Sequence, residues 1–501
     1  MKKILLAIAA AMMALSCTQT EAPEQQPLEN SVVYEMNVRQ YTPAGTFAAA
    51  QEELPRLAEM GVDIVWLMPI YPIGVEGRKG TLGSYYAVKN YCEINPEFGT
   101  LEDFDNFVAE AHRLGLRVIV DWVANHTSPD AVWVTQGWTF GYQHDFWDQE
   151  SLKALLSKVP DDKLIIVDLG NDYPKWVWHT EQTWKVQEGF YGKQWIYSYV
   201  PNFGGKVLPT GDLTMYATGS VEALNSPYSE NLVGFGSAPE GLENNEVVYE
   251  LLADMGWTAE NIDLDQWLKQ YCLSRYGYWD EGMQQVWSLL HQSVYSSLYS
   301  YPRFTWQTVV PDQRRKSLHD INDDFGAAAE LFLEYADKCA GSQLYMNDAV
   351  EFAALYIAEL ADRHYEKVLE GGADAQEHLA KTVELLESVD RLLATHPDYS
   401  LQMWVDYARS HGSDEVRKNQ YEANAKRLIT TWGGWQEDYA ARFWAGLVGN
   451  YYIPRIQIYA AEGAEALDAW EENWIMTPYS AEEQPYENPV ETALEIIRNN
   501  R

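Results

Sequence analysis

Basic residues are scarce in this chain. Its 501 residues hold 36 Lys and Arg against 74 Asp and Glu, a formal net charge of −38. Nucleic-acid binding needs clustered cations to displace phosphate counterions, so no nucleic-acid partner is expected. Cysteine is scarce too. Cys17, Cys92, Cys272 and Cys339 share no metal-ligand spacing, so neither zinc nor a disulfide framework organises the fold. No metal site or other cofactor is expected. Beyond residue 30, no apolar run approaches the roughly 20 residues that span a bilayer. Ring surface, by contrast, is abundant: 20 Trp, 33 Tyr and 14 Phe. So much aromatic area cannot stay in water, and the chain must fold around a large core. Rings left at a surface suit neutral sugars, whose C–H faces stack on them without charge. The length fits about two to four domains, or one barrel with additions.

Met1-Lys2-Lys3 is a short basic start, and Ile4 to Leu15 is an apolar segment of signal-peptide length. Ala14-Leu15-Ser16-Cys17 resembles a bacterial lipoprotein cleavage box, with Ala14 where the box usually has Leu. An ordinary secretory signal with an incidental cysteine is the alternative. The lipoprotein reading makes Cys17 the lipidated N-terminus of an exported protein, periplasmic or at the outer-membrane surface. That lipid would be its only membrane contact. Residues 18–30, rich in Glu, Gln and Pro, then form a solvated tether.

Residues 31–129 alternate strand and helix patterns. Val32 to Met36 is a short apolar run, Thr46 to Met60 reads as a helix, and Gly61 stops it. Val62 to Met68 is a second strand. Leu101 to Leu114 places Phe104, Phe107, Val108 and Ala111 at helical spacing; Gly115 ends it and Leu116 to Val120 is a third strand. Strand–helix–strand order with short turns predicts parallel pairing, as in a β/α barrel or open sheet, with function on the loops after strands. Residues 130–260 continue with strands at Ala131 to Val134, Lys163 to Asp168, Trp195 to Val200 and Leu232 to Gly236. The last leads into Ala238-Pro239-Glu240-Gly241, then Asn245-Glu246 and a helix through Met255. A carboxylate just past a strand end is where barrel enzymes place catalytic acids. The same acids also suit a helix N-terminus, whose dipole favours negative charge.

Two resemblances follow, in sequence. Val33-Tyr34-Glu35-Met36-Asn37-Val38-Arg39, Gly83-Ser84-Tyr85-Tyr86-Ala87-Val88-Lys89-Asn90-Tyr91 and Asp121-Trp122-Val123-Ala124-Asn125-His126 resemble the start of the alpha-amylase family. That likeness implies that Asp121 and His126 line a sugar site. The family's Gly-x-Arg-x-Asp nucleophile region, its acid and its Asn-His-Asp stabiliser are all missing downstream of His126, which opposes starch hydrolysis. From Trp133 to Trp138 onward, the chain resembles the alpha-N-acetylglucosaminidase family, glycoside hydrolase family 89. Asn202-Phe203-Gly204-Gly205, Ala238-Pro239-Glu240-Gly241, Asn245-Glu246-Val247-Val248-Tyr249, Thr431-Trp432-Gly433 and Leu447 to Arg455 carry that likeness in order. It implies that Glu240 is the nucleophile and that Trp138, Asn202, Phe203 and Trp432 line a pocket for terminal N-acetylglucosamine. The family's acid/base is a Glu following an Asn, on a strand before Trp133. No such pair stands there, and Asp121 is the nearest replacement acid. A change of family near Pro129-Asp130 is what either a natural fusion or a joined gene model would produce.

After residue 260 the pattern is helical. Val350 to Val368 forms one apolar stripe ended by Gly371-Gly372, and Leu379 to Leu393 a second. Further helices are expected at Met403 to Ser410, Asp414 to Thr430 and Tyr439 to Tyr452. Asp390 reads as part of a solvated face. Trp432 in its glycine-flanked break suits either a loop reaching a sugar pocket or a packing corner. The fold class is thus α/β plus all-α. Residues 1–30 are signal and tether, 31–129 the amylase-like first part of a composite β/α barrel, 130–260 its second part, and 261–501 a helical domain. The leading function is an exo-acting, retaining alpha-N-acetylglucosaminidase-like hydrolase that lacks its usual acid. The alternatives are an amylase-type alpha-glucosidase and a carbohydrate-binding surface lipoprotein without turnover.

Overall fold

A computed structural model describes residues 31–501 except 79, 122, 124–127, 129, 131–147, 158–160, 162–163, 173–181, 203–208, 242–244, 297–302, 311–320, 433–437, 439, 441 and 481–482. Cys17, His126, Trp138 and Phe203 lie outside the described residues, as does the strand expected at Ala131 to Val134. The chain divides into two compact units. The first is the chain up to Ile70 with Ile94–Asp121; the second is Tyr71–Glu93 with Trp122–Arg501.

The first unit is a βαβαβ arrangement: β1 (Val33–Met36), α1 (Phe47–Glu59), β2 (Ile64–Leu67), α2 (Leu101–Arg113) and β3 (Arg117–Val120). Each helix starts where its sequence supplies a cap. Thr46 accepts the Ala49 N–H, and Thr100 forms a reciprocal box with Asp103. Each stops before a glycine at positive φ, Gly61 at 88° and Gly115 at 83°. The strands pair in parallel in the order β1-β2-β3, Val33 opposite Ile64 and Ile64 opposite Arg117. Phe47 centres the core, its ring 5.3–6.2 Å from those of Phe98, Phe104 and Phe107.

In the second unit β4 (Ile165–Asp168), β5 (Gln194–Tyr199) and β6 (Leu232–Ser237) form another parallel sheet, ordered β4-β5-β6. All three strands stand where the apolar runs predicted them. Trp195, Tyr197 and Tyr199 of β5 are buried, whereas Ile165 to Val167 of β4 are only half-buried, as befits an end position in the order. The core runs on from β5 into the helices that follow. α3 (Glu246–Met255) and α4 (Leu264–Arg275) come first. Later, α5 (Gln343–Glu370) buries Ala353, Ala354, Ala358 and Ala361, and these small side chains let α6 (Ala375–Leu393) pack closely. Gly371 at φ 76° ends α5 as expected. The helices Leu401–Ser410 and Glu415–Leu428 also stand where predicted. Among the described residues no helix is long and apolar enough to cross a membrane.

Two expectations need correction. The helix predicted over Tyr439 to Tyr452 stands only in its second half: among the described residues Arg442 to Trp444 are irregular, Ala445 makes an isolated bridge, and helical turns begin at Leu447. The physical reason is a backbone exchange, Leu401 N–H to Ala445 O at 3.0 Å and Ala445 N–H to Tyr399 O at 2.9 Å, which pulls this stretch away from helical pairing. A π-turn over Val448–Tyr452 then leads into the helix Ile453–Glu462. Asp390 explains part of that turn and is itself the second correction. Its Oδ1 accepts the N–H groups of Gly446 and Gly449, each at 2.8 Å, and burial pushes its carboxyl up to about 6. A Cβ at Gly449 would stand 2.7 Å from that carboxylate, so glycine is required there.

Candidate active site

Glu240 lies three residues past β6 on an exposed loop. The loop is fastened through its backbone. Ala238 N–H donates to Tyr199 O at 2.9 Å and Glu240 N–H to Pro201 O at 3.3 Å, extending the β5–β6 pairing past the strand ends. From the far side of the sequence, Arg442 Nη2 donates to the Glu240 carbonyl at 3.0 Å. The backbone on both sides of the Glu240 side chain is therefore positioned before any ligand arrives.

Asn202 completes the fastening. Fully buried and at φ 58°, it donates Nδ2 to Gly241 O at 3.0 Å and to Tyr249 Oη at 2.6 Å. Its Oδ1 accepts from Asn245 Nδ2 at 3.3 Å, which also reaches Thr210 O at 2.7 Å. The Tyr249 hydroxyl donates to Gly241 O in turn. Asn245 sits at φ 69°, a conformation that Asn tolerates better than most side chains. It caps α3 in position, with Glu246 as the first helical residue. The two acids that sequence left equivalent thus separate: Glu246 opens a helix, and Glu240 is presented on a strand-end loop.

Behind that loop Glu246 joins a buried network. Arg275 donates Nη2 to Asp348 Oδ1 at 2.6 Å and Nε to Oδ2 at 2.8 Å, and the Tyr276 hydroxyl donates to Oδ2 at 2.6 Å. Arg275 also lies 3.4 Å from Glu246. Burial, then the charge of Asp348, pushes the Glu246 carboxyl up to about 7; burial raises Glu351 as well. Glu246, Asp348 and Glu351 bring carboxylate oxygens within 4.8 Å of one another, spacing that could hold a cation. Arg275 already supplies the positive charge and occupies both Asp348 oxygens, so the donor set fits an ion-pair network that retains protons better than a metal site. None of these partners carries a sequence pattern. Arg275 and Asp348 are 73 residues apart, and their pairing is visible only in three dimensions.

Trp432 is half-buried, just beyond the helix Glu415–Leu428. The break it begins is closed by Asp438 N–H donating to Thr430 O at 2.8 Å, and four residues later Arg442 reaches the Glu240 loop. Asp121 belongs to the first unit, half-buried after β3. Its neighbour there is Glu35 on β1, whose carboxyl is raised by burial and then by the charge of Asp121. Sequence reasoning quoted Glu35 as part of a strand and missed it as a titrating group.

The family models for the alpha-N-acetylglucosaminidase (NAGLU) TIM-barrel domain and C-terminal domain match residues 79–259 and 267–499. Human alpha-N-acetylglucosaminidase is 31% identical over 348 residues, 66% of this chain and 45% of that protein. The chain thus spans about half the length of that relative. An alpha-glucosidase of Apis mellifera is 37% identical over 110 residues, 21% of this chain and 18% of the relative. A Clostridium perfringens structure in complex with its substrate GlcNAc-alpha-1,4-galactose superposes over 94% of this chain and 69% of its own, with TM-score 0.67 and 18% identity, a likeness of fold.

Proposed function

Because the chain belongs to the alpha-N-acetylglucosaminidase family, we propose that it is an exo-acting glycoside hydrolase that removes terminal alpha-linked N-acetylglucosamine, with Glu240 as nucleophile. The observation that carries this reading is the Glu240 loop, held past β6 by Asn202, the Tyr199 and Pro201 carbonyls and Arg442. In a retaining mechanism the Glu240 carboxylate attacks the anomeric carbon, and water later hydrolyses the glycosyl ester. A second carboxyl about 5 Å away normally protonates the leaving oxygen. The Asn-Glu pair expected for that role does not occur upstream of Trp133. General acid assistance is worth ~10²–10⁴-fold. The proposal therefore has a signature: a nitrophenolate leaves without a proton, so an aryl glycoside turns over while an unactivated disaccharide lags by about that factor.

The missing acid favours one second reading, a protein that binds such glycans without cleaving them. Purified protein and Glu240→Gln are incubated with 4-nitrophenyl alpha-N-acetylglucosaminide and with malto-oligosaccharides. Aryl cleavage lost in Glu240→Gln supports the hydrolase; binding without cleavage supports the second reading. Malto-oligosaccharide hydrolysis overturns both. Export with lipid on Cys17 belongs to the same proposal, and labelling with a palmitate analogue in cells, lost in Cys17→Ser, checks it.

A further inference from the structure

A groove of about 680 Å³ lies in the second unit, with Trp184, Lys185, Glu222, Asn225, Tyr228 and Asn261 among its walls. Asn225 and Tyr228 precede β6, whereas Glu240 follows it, so the groove opens at the other end of that strand. At ~3.3 Å per residue, the strand separates the two by about 15–20 Å. A ligand seated in the groove is therefore distinct from a terminal sugar at Glu240.

The lining selects a class of ligand. Lys185 Nζ pairs with Glu222 Oε1 at 2.7 Å, and no other charged side chain among the described residues lines the groove. In a chain of net charge −38 this is a neutral patch. Anions gain nothing there, because the one cation is already paired, and cations meet the same obstacle at Glu222. What remains is amide, hydroxyl and ring. Asn225 spends Nδ2 on Val221 O at 2.9 Å, leaving Oδ1 as an acceptor. Tyr228 is half-buried with its ring edge-on to Trp184 at 6.4 Å, and the buried Trp184 indole N–H has no partner. Asn261, on the loop between α3 and α4, is exposed and offers a further amide.

We propose that this groove is an accessory binding site for neutral oligosaccharides, with Tyr228 as the stacking ring and Asn225 and Asn261 as hydrogen-bonding groups. The choice of sugar rests on the glycan-acting reading above, while the site itself works by binding alone. Full-length protein is titrated calorimetrically with maltotriose and with N,N′,N″-triacetylchitotriose, alongside Tyr228→Ala and Asn261→Ala. Cleavage of the aryl glycoside is followed on the same preparations. At least one trisaccharide binds the wild type, and each variant weakens it tenfold or more while aryl cleavage is unchanged. If no preparation cleaves the aryl glycoside but the variants still lose trisaccharide binding, the catalytic reading fails and the accessory site stands. Failure of the wild type to bind either trisaccharide overturns the proposal. So does wild-type affinity in Asn261→Ala, a position exposed enough to substitute without disturbing the fold.

Discussion

Sheet β1-β2-β3 and sheet β4-β5-β6 are both parallel and both three-stranded, yet they are finished differently. The outer strands of the first leave Val33 45% and Ile119 37% exposed, and its middle strand buries the aliphatic Val65 and Leu67; the middle strand of the second buries three rings, Trp195, Tyr197 and Tyr199, at 1% or less. Beyond the strand ends the contrast continues. Past β3 the structure shows Asp121 near the raised carboxyl of Glu35. Past β6 it shows a loop tied by two asparagines, a tyrosine and an arginine from three different stretches of chain. A strand end becomes a prepared site when other elements spend buried hydrogen bonds on its loop. The strand pattern alone does not accomplish that.

The largest test of this contrast sets the middle strand of the second sheet against an outer strand of the first. Trp195→Ala removes a fully buried indole and should cost about 3–5 kcal/mol, whereas Val33→Ala on β1 should stay within about 0.5 kcal/mol. Urea unfolding followed by far-ultraviolet circular dichroism measures both, and equal losses would erase the difference. A middle-sized effect is expected at the loop. Asn202→Ala leaves the Gly241 carbonyl and its neighbours short of a donor, at about 2 kcal/mol. Acting by position, it should lower kcat for the aryl glycoside several-fold with little change in KM, and Asn202→Asp, which keeps the shape but cannot donate to the Gly241 carbonyl, should not recover it. A change confined to KM would instead mean that Asn202 touches the sugar directly.

The smallest expected effect concerns pH. Glu246 holds its proton to about 7 in the folded chain against an ordinary 4.5. Its contribution to stability is therefore full below about 4.5 and is lost as pH rises through 7. Glu246→Gln should flatten that decline by on the order of 1 kcal/mol between pH 5 and 8, read from thermal unfolding across the range. Glu35→Gln, in the less enclosed first sheet, should flatten it less. A larger effect at Glu35 would reverse the contrast between the two units.

Much of this was legible in the sequence because it is local. Thr46 and Thr100 announce helix starts, Gly61, Gly115 and Gly371 announce stops, and the six described strands fall on the apolar runs to within two residues at each end. The misreadings were both at long range. Asp390 looks solvated by periodicity, but Gly446 and Gly449, more than fifty residues away, spend their N–H groups on it. The helix expected over Tyr439 to Tyr452 is held off until Leu447 because Ala445 pairs with Tyr399 and Leu401.

By itself, then, the sequence determined the order of most elements, the family likeness and Glu240 as the acid to watch. Those follow from composition, spacing and neighbours within a few residues. Only the tertiary structure decided that Glu240 is held on a strand-end loop while Glu246 opens a helix and joins Arg275 and Asp348. Burial and hydrogen-bond partners set what a carboxyl does, and those partners come from parts of the chain that meet only after folding.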